Sequence, residues 1–180
     1  MEICRRKNQI EISELDPFLA ELLRQIPASA KTEGAPAAEQ RIFSPPANGK
    51  ELELCAEWKV YVEPELRRLF QTATQTVGAD LEQLNGNEKS LATRTLRIPT
   101  KHADAWLCAL NQARLVIAAK NNFTELELSD HLRSPIGSRR DLSLFQVNFY
   151  GFLQEFVEAV RQEMGRARRS QSGFCAGESP

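Results

Sequence analysis

The chain has 180 residues, of which 42% are hydrophobic and 26% are charged, and its formal net charge at pH 7 is −1. This length supports one domain with its own hydrophobic core, and the composition is that of an ordinary globular protein. The near-zero net charge excludes a protein that attracts nucleic acid or a membrane surface through a global excess of Lys and Arg.

The N-terminus predicts a small β element. Within residues 2–12, Ile10 and Ile12 alternate with polar residues and lie across a short polar turn from Ile3. Such alternation is typical of half-buried strands in a hairpin. Residues 93–98 also alternate apolar with polar side chains, so we expect them to add a third strand.

Helical signals follow. Asp16 and Pro17 suit the N-cap and first position of a helix. A second helix is predicted over 50–60, with Leu54, Trp58 and Tyr61 facing inward. A longer one starts at Pro64 and has an amphipathic stripe. The stripe consists of Leu66, Leu69, Phe70, Ala73, Val77, Leu81 and Leu84.

Two segments lack the pattern of a packed element. Residues 27–40 are rich in alanine and contain no bulky apolar side chain, which predicts a mobile linker or loop. Residues 165–180 are basic and then rich in Ser, Gly and Pro, which predicts a disordered tail. Residues 1–164 are therefore expected to form one domain.

A central helix is predicted from Thr100 to Lys120, with Thr100 as its N-cap. It is apolar around most of its circumference, as a helix covered by several neighbours is. The last helix, about 139–164, carries an aromatic stripe and is its expected main partner. The stripe is Leu142, Phe145, Phe149, Phe152, Leu153, Phe156 and Val160. We predict a mainly α, bundle-like fold with a two- to three-stranded β element.

Two polar residues of the central helix, Asn111 and Arg114, are candidates for a structural or interaction role. Arg114 lies at the edge of the apolar sector, one turn from Asn111. Its stem can cover apolar neighbours while the guanidinium reaches solvent. Alternatively, the guanidinium is partly buried and held by a carboxylate or carbonyl. Both interpretations stay open.

The sequence contains no recognisable catalytic, cofactor-binding or metal-binding motif. His102 and His131 have no nucleophile motif beside them, and the four cysteines are widely scattered. We therefore predict no catalytic residue, cofactor or metal. Cys4, followed by three basic residues, and Cys175, in the predicted tail, are the candidate redox thiols. Scattered cysteines and the absence of a signal-peptide pattern predict a cytoplasmic protein.

Six short motifs carry a family resemblance: RIFSP (41–45), VEPELRRL (62–69), LRIP (96–99), AWL (105–107), LNQARL (110–115) and FYGFLQ (149–154). Together they resemble a bacterial family, best known in actinobacteria, called domain of unknown function 2017. The resemblance implies a mostly helical cytoplasmic protein of a family suspected to be regulatory, with no established catalytic residues.

The predicted function is a non-enzymatic regulatory or protein-interaction domain with an unidentified protein partner. One alternative is a DNA-associated, thiol-sensitive transcription regulator, which would use basic clusters at 139–140 and 166–169 for phosphate contact. The other is an enzyme with an unrecognised site. We expect no membrane association, and the sequence does not determine the oligomeric state.

Overall fold

The computed structural model describes residues 1–45, 51–85, 94–129 and 136–172, with side chains up to 163 in the last range. Within these ranges the fold is mainly α with one small antiparallel sheet, as predicted. None of the described helices is both long and apolar enough to cross a bilayer. The elements are β1 (Glu2–Arg6), β2 (Gln9–Leu15), α1 (Pro17–Arg24), α2 (Ile26–Ser29), α3 (Pro36–Phe43), α4 (Leu52–Glu57), a π-helical turn (Trp58–Val62), α5 (Glu63–Leu81), β3 (Arg94–Pro99), α6 (Ala103–Asn121), α7 (Glu125–Ser129) and α8 (Arg139–Ser172).

The sheet has the order β1-β2-β3, so β2 is hydrogen-bonded on both edges. Ile10 pairs with Ile98 and Ile12 with Leu96, and all four side chains are buried. Alternation puts these residues on one face, which packs on the helices. The predicted third strand is therefore confirmed.

Thr100 connects the sheet to the central helix, but it is not the N-cap of that helix. It begins a 3₁₀ turn, Thr100–His102, and α6 starts at Ala103. Its backbone N–H and its hydroxyl both donate to the carbonyl of Asn8, at 2.8 and 3.0 Å. The hydroxyl is therefore used to close the end of the β1–β2 turn instead of capping the first turn of α6.

Helix α6 lies at the centre of the fold, between α5, α8 and the short helices α2 and α3. Its most extensive contact is with α8, as the aromatic stripe predicted. Two stripe positions were wrong: Leu69 of α5 and Phe152 of α8 are exposed. The largest fully buried side chains are Trp106, Tyr150, Ile10, Ile12, Leu15, Leu23, Ile26, Leu84, Leu96, Ile98, Leu110 and Leu153.

Residues 27–40, predicted to be a linker, instead contain the end of α2 and the first half of α3. Ala35 and Ala38 are buried in a small cluster with Val116 of α6. A methyl side chain lets two helices approach closely, so the alanines that we interpreted as linker composition are contact residues.

The C-terminal segment also differs from its prediction. Helix α8 continues to Ser172, so residues 165–172 are helical where a disordered tail was expected. Residues 173–180, including Cys175, lie outside the described part of the chain, as does His131.

Candidate interaction surface and buried polar groups

Helix α4 and the following π-helical turn present large apolar side chains to solvent. Leu52 is 77% exposed, Val60 63% and Tyr61 72%. The prediction that Leu54 and Tyr61 face inward is wrong, because no residue of either element is buried. We call these exposed apolar residues the 52–62 strip: Leu52, Leu54, Val60, Tyr61 and Val62.

The π-helical turn follows from the proline beyond it. Pro64 has no backbone N–H, and its ring crowds the carbonyl of Val60, so an α-helical turn is disfavoured there. The N–H of Glu63 instead donates to the carbonyl of Trp58, five residues earlier. The wider turn rotates the apolar residues before it relative to the stripe of α5. Such turns occur frequently at functional sites.

A shallow groove of about 230 Å³ runs along the strip. Its walls include Leu54, Trp58 and Tyr61. The indole Nε1 of Trp58 is itself fully buried and has no hydrogen-bond partner. An exposed groove lined by large apolar and aromatic side chains is typical of a surface that binds another protein.

The flanks of the strip are acidic. Glu51, Glu53 and Glu57 are exposed, and Lys59 is the one basic residue within 51–62. The local charge is therefore negative, although the whole chain is nearly neutral. An approaching partner with basic groups around an apolar centre would meet complementary charge.

The two polar candidates of α6 have different environments. Asn111 is exposed, whereas Arg114 is half-buried against α8. Arg114 donates from Nη1 to Oε1 of Gln154 at 2.9 Å, and its Nε is buried without a partner. Its guanidinium lies over Gly151, where an added Cβ would come within 3.2 Å of Cζ. The group is held by an amide carbonyl and fixes how α6 meets α8.

A buried carboxylate that sequence reasoning missed connects α5 to α6. Asp80 accepts a 2.9 Å hydrogen bond from Nε1 of Trp106, and both its oxygens lie 3.0 Å from Nδ1 of His102. The carboxylate thereby satisfies an indole donor in the core. A histidine and a carboxylate can also act together in general-base chemistry. Here the carboxylate also binds the buried indole of Trp106, and we interpret the group as a structural link between α5 and α6.

Of the candidate thiols, Cys4 is half-buried in β1 as a free cysteine, and Cys175 lies outside the described residues. A pairing of the two stays a prediction. Cys108 of α6 is also free, and burial raises the pKa of its thiol. A raised pKa opposes formation of the reactive thiolate.

The basic cluster at 139–140 is partly used within the fold. Arg140 forms an ion pair with Glu127 of α7 and lies 4.6 Å from the ring centroid of Phe123. Its guanidinium is thus positioned by the protein itself. The other cluster, 166–169, lies beyond residue 163, the last residue of α8 whose side chain the structure describes.

No curated protein and no solved structure matches this chain. A match was found with one family, which has the description domain of unknown function 2017. The family model covers residues 6–160 of the 180, and the chain belongs to this family.

Proposed function

We propose that this chain is a non-enzymatic interaction domain that binds a helical segment of a partner protein through the 52–62 strip. The observation that carries the proposal is the exposed apolar surface on α4 and the π-helical turn. Tyr and Trp side chains of this kind supply much of the binding energy in protein interfaces.

The partner segment is expected to be an amphipathic helix with basic flanks. Apolar residues of such a helix, spaced three and four apart, fit a groove between helical side chains. Lys or Arg beside them would lie close to Glu51, Glu53 and Glu57. These exposed charges would contribute mainly to the association rate and to partner selection.

A regulatory role in the cytoplasm belongs to the same proposal. The free thiols of Cys4 and Cys108 support a reducing compartment. An interaction domain can regulate a partner by covering one of its helices. DNA association receives less support, because Arg140 is already paired with Glu127.

The proposal is tested by replacing Tyr61 with a photo-crosslinking phenylalanine derivative in the native host. We expect one discrete adduct, with the crosslink in a basic amphipathic segment of the partner. Leu54→Asp in the same chain should reduce the adduct yield at least about tenfold, since it puts a charge into the apolar groove.

Leu126 of α7 gives a matched control, because it is 81% exposed and lies outside the strip. A crosslinker at position 126 should give no discrete adduct, and Leu126→Asp should leave the adduct formed at position 61 unchanged. Equal crosslinking from both positions, or a crosslink at 61 that Leu54→Asp does not change, would refute the interaction surface.

A further inference from the structure

The two outer strands of the sheet, β1 and β3, differ at their outer edges. At β3, the side-chain amide of Gln83 bonds both backbone groups of Arg97. Its Nε2 donates to the carbonyl at 2.9 Å, and its Oε1 accepts from the N–H at 3.2 Å. The amide thereby takes the place of a neighbouring strand. In the part of the chain that the structure describes, the outer backbone groups of β1 form no such bonds.

The register identifies the groups that β1 leaves unpaired. Successive residues of an antiparallel strand direct their backbone N–H and C=O groups to opposite sides. The backbone groups of Arg97 point away from β2, so those of its partner Glu11 point towards β1, where Glu11 pairs with Cys4. Ile3 and Arg5, the neighbours of Cys4, therefore direct their N–H and C=O groups outward. Such an edge is a template for another strand.

The charges of β1 do not protect this edge against a second copy of the same strand. Arg5 and Arg6 lie at one end, followed by Lys7, and Glu2 lies at the other end. Basic residues on an edge usually repel another strand of the same charge. An antiparallel copy instead brings the acidic end of one strand beside the basic end of the other, where opposite charges attract.

One register of such a pair satisfies both the backbone groups and the charges. Ile3 lies opposite Arg5 of the second copy, and the two residues exchange both backbone hydrogen bonds because their groups all point outward. The two-fold axis repeats this pair on the other side of Cys4. A register with Arg5 opposite itself would put like charges together, and one with Ile3 opposite itself would put Glu2 opposite Cys4.

We propose that this chain forms a symmetric dimer in which the β1 strands of two copies pair antiparallel about Cys4 and join the two sheets. Glu2 then lies opposite Arg6 of the second copy. Arg6 already bonds Glu11 of its own chain at 2.8 Å, but its side chain is 66% exposed, so it is accessible to a second carboxylate. The interface shares no residue with the 52–62 strip and does not depend on the proposed function.

Sedimentation velocity of the full chain at several concentrations tests the dimer. We expect a monomer–dimer equilibrium with a dissociation constant of about 100 μM or tighter. Arg5→Pro should weaken association at least about tenfold, because it removes an outward N–H that only the second copy uses. Proline is tolerated at such a position of an edge strand, so the monomer should still fold, which circular dichroism checks.

Arg5→Ala is the matched control, because it removes the same side chain and keeps the backbone N–H. It should change the dissociation constant less than about threefold, since the ion pair of Arg5 with Glu163 is exposed. A chain that stays monomeric at about 1 mM, or equal weakening by Arg5→Pro and Arg5→Ala, would overturn the proposal.

The register is tested at Cys4, which is a free cysteine. In the proposed pair the two Cys4 residues form a non-hydrogen-bonded pair, with Cα atoms about 4.5 Å apart, within the span of a disulfide. Diamide, which takes up the two thiol protons and two electrons, should link Cys4 to Cys4 of the second copy, as peptide mass mapping would show. Arg5→Pro should lower the yield at least about fivefold. A yield unchanged by Arg5→Pro, or preferential linkage of Cys4 to another cysteine, would contradict this register.

Discussion

The carboxylate of Asp80 joins α5 to the start of α6, because it accepts hydrogen bonds from two donors there. Trp106 is fully buried, so its indole N–H has no alternative partner in water. His102 binds the same carboxylate from the preceding turn of the chain. The sequence could not reveal this, because Asp80 lies 22 residues from His102 and 26 from Trp106.

Asp80→Ala should lower the free energy of unfolding by about 2–3 kcal/mol, since it leaves a buried indole donor unpaired. Urea denaturation followed by circular dichroism measures the loss. Asp104→Ala is the matched control on α6: its exposed ion pair with Arg161 should contribute less than about 1 kcal/mol. Similar losses for both variants would contradict the structural role of Asp80.

At the scale of elements, the regular spacing of large apolar residues predicted helices, strands and their contacts correctly. Contacts made by small residues were not predicted. The strand at Arg94–Pro99 and the pairing of α6 with α8 followed from the spacing of large apolar residues. Helix α3 did not, because its contact with α6 depends on alanines that carry little hydrophobic signal. The orientation of the 52–62 strip was missed because it depends on the π-helical turn, a backbone feature that side-chain periodicity cannot show.

The contact between α6 and α8 can be tested at Gly151. In an ordinary helix interior, Gly→Ala stabilises by about 1 kcal/mol. Here the new Cβ would press on the Arg114 guanidinium and disturb its bond to Gln154. We expect Gly151→Ala to give its full stabilisation only in an Arg114→Ala background.

A double-mutant cycle from urea denaturation measures this coupling between the two positions. It should amount to about 0.5–1 kcal/mol, as for other side chains in direct contact. Additive effects of the two substitutions would mean that the guanidinium does not lie against Gly151 in solution.

The link between α7 and α8 should depend on pH through Glu127. A hydrogen bond from the backbone N–H of Thr124, then the Arg140 guanidinium and the Thr124 hydroxyl, lower the pKa of Glu127 to about 2. A folded pKa below the unfolded value of 4.5 stabilises the fold above pH 4.5, and this contribution is lost as pH falls towards 2.

Free energies of unfolding of the parent chain and of Glu127→Gln should therefore differ by a constant amount above about pH 5 and converge between pH 4.5 and 2. Arg140→Gln should raise the pKa of Glu127 in the folded state, while leaving both hydrogen bonds from Thr124 in place. The pH range over which the two free energies converge should therefore become narrower. A difference between parent and Glu127→Gln that is independent of pH would contradict the assignment.

For the whole molecule, apolar residues of the core and those of the 52–62 strip should respond differently to truncation. Leu96 is fully buried, whereas Leu52 is 77% exposed. We expect Leu96→Ala to cost about 2–5 kcal/mol of unfolding free energy and Leu52→Ala less than about 0.5 kcal/mol. Denaturant titrations compare them directly. A large loss for Leu52→Ala would assign the strip to the core and remove it as a binding surface.

The sequence was thus sufficient for the fold class but not for the 52–62 strip. The 52–62 strip depends on which apolar residues the fold leaves uncovered. Composition and periodicity report which side chains are apolar or polar. They do not report whether another part of the chain covers Tyr61.

The position of β2 between its two neighbours also has a consequence for the order of folding. The β1–β2 hairpin can close within microseconds, yet Thr100, whose N–H and hydroxyl bond Asn8, is 92 residues further along the chain. At about 5–20 residues per second, a ribosome needs roughly 5–20 s to add that segment. During this interval β2 has an open edge, and a lone hairpin is only marginally stable. The nascent chain is therefore expected to gain lasting sheet structure only after β3 has emerged. Slower translation would leave the edge of β2 open for longer and so increase the chance of aggregation there.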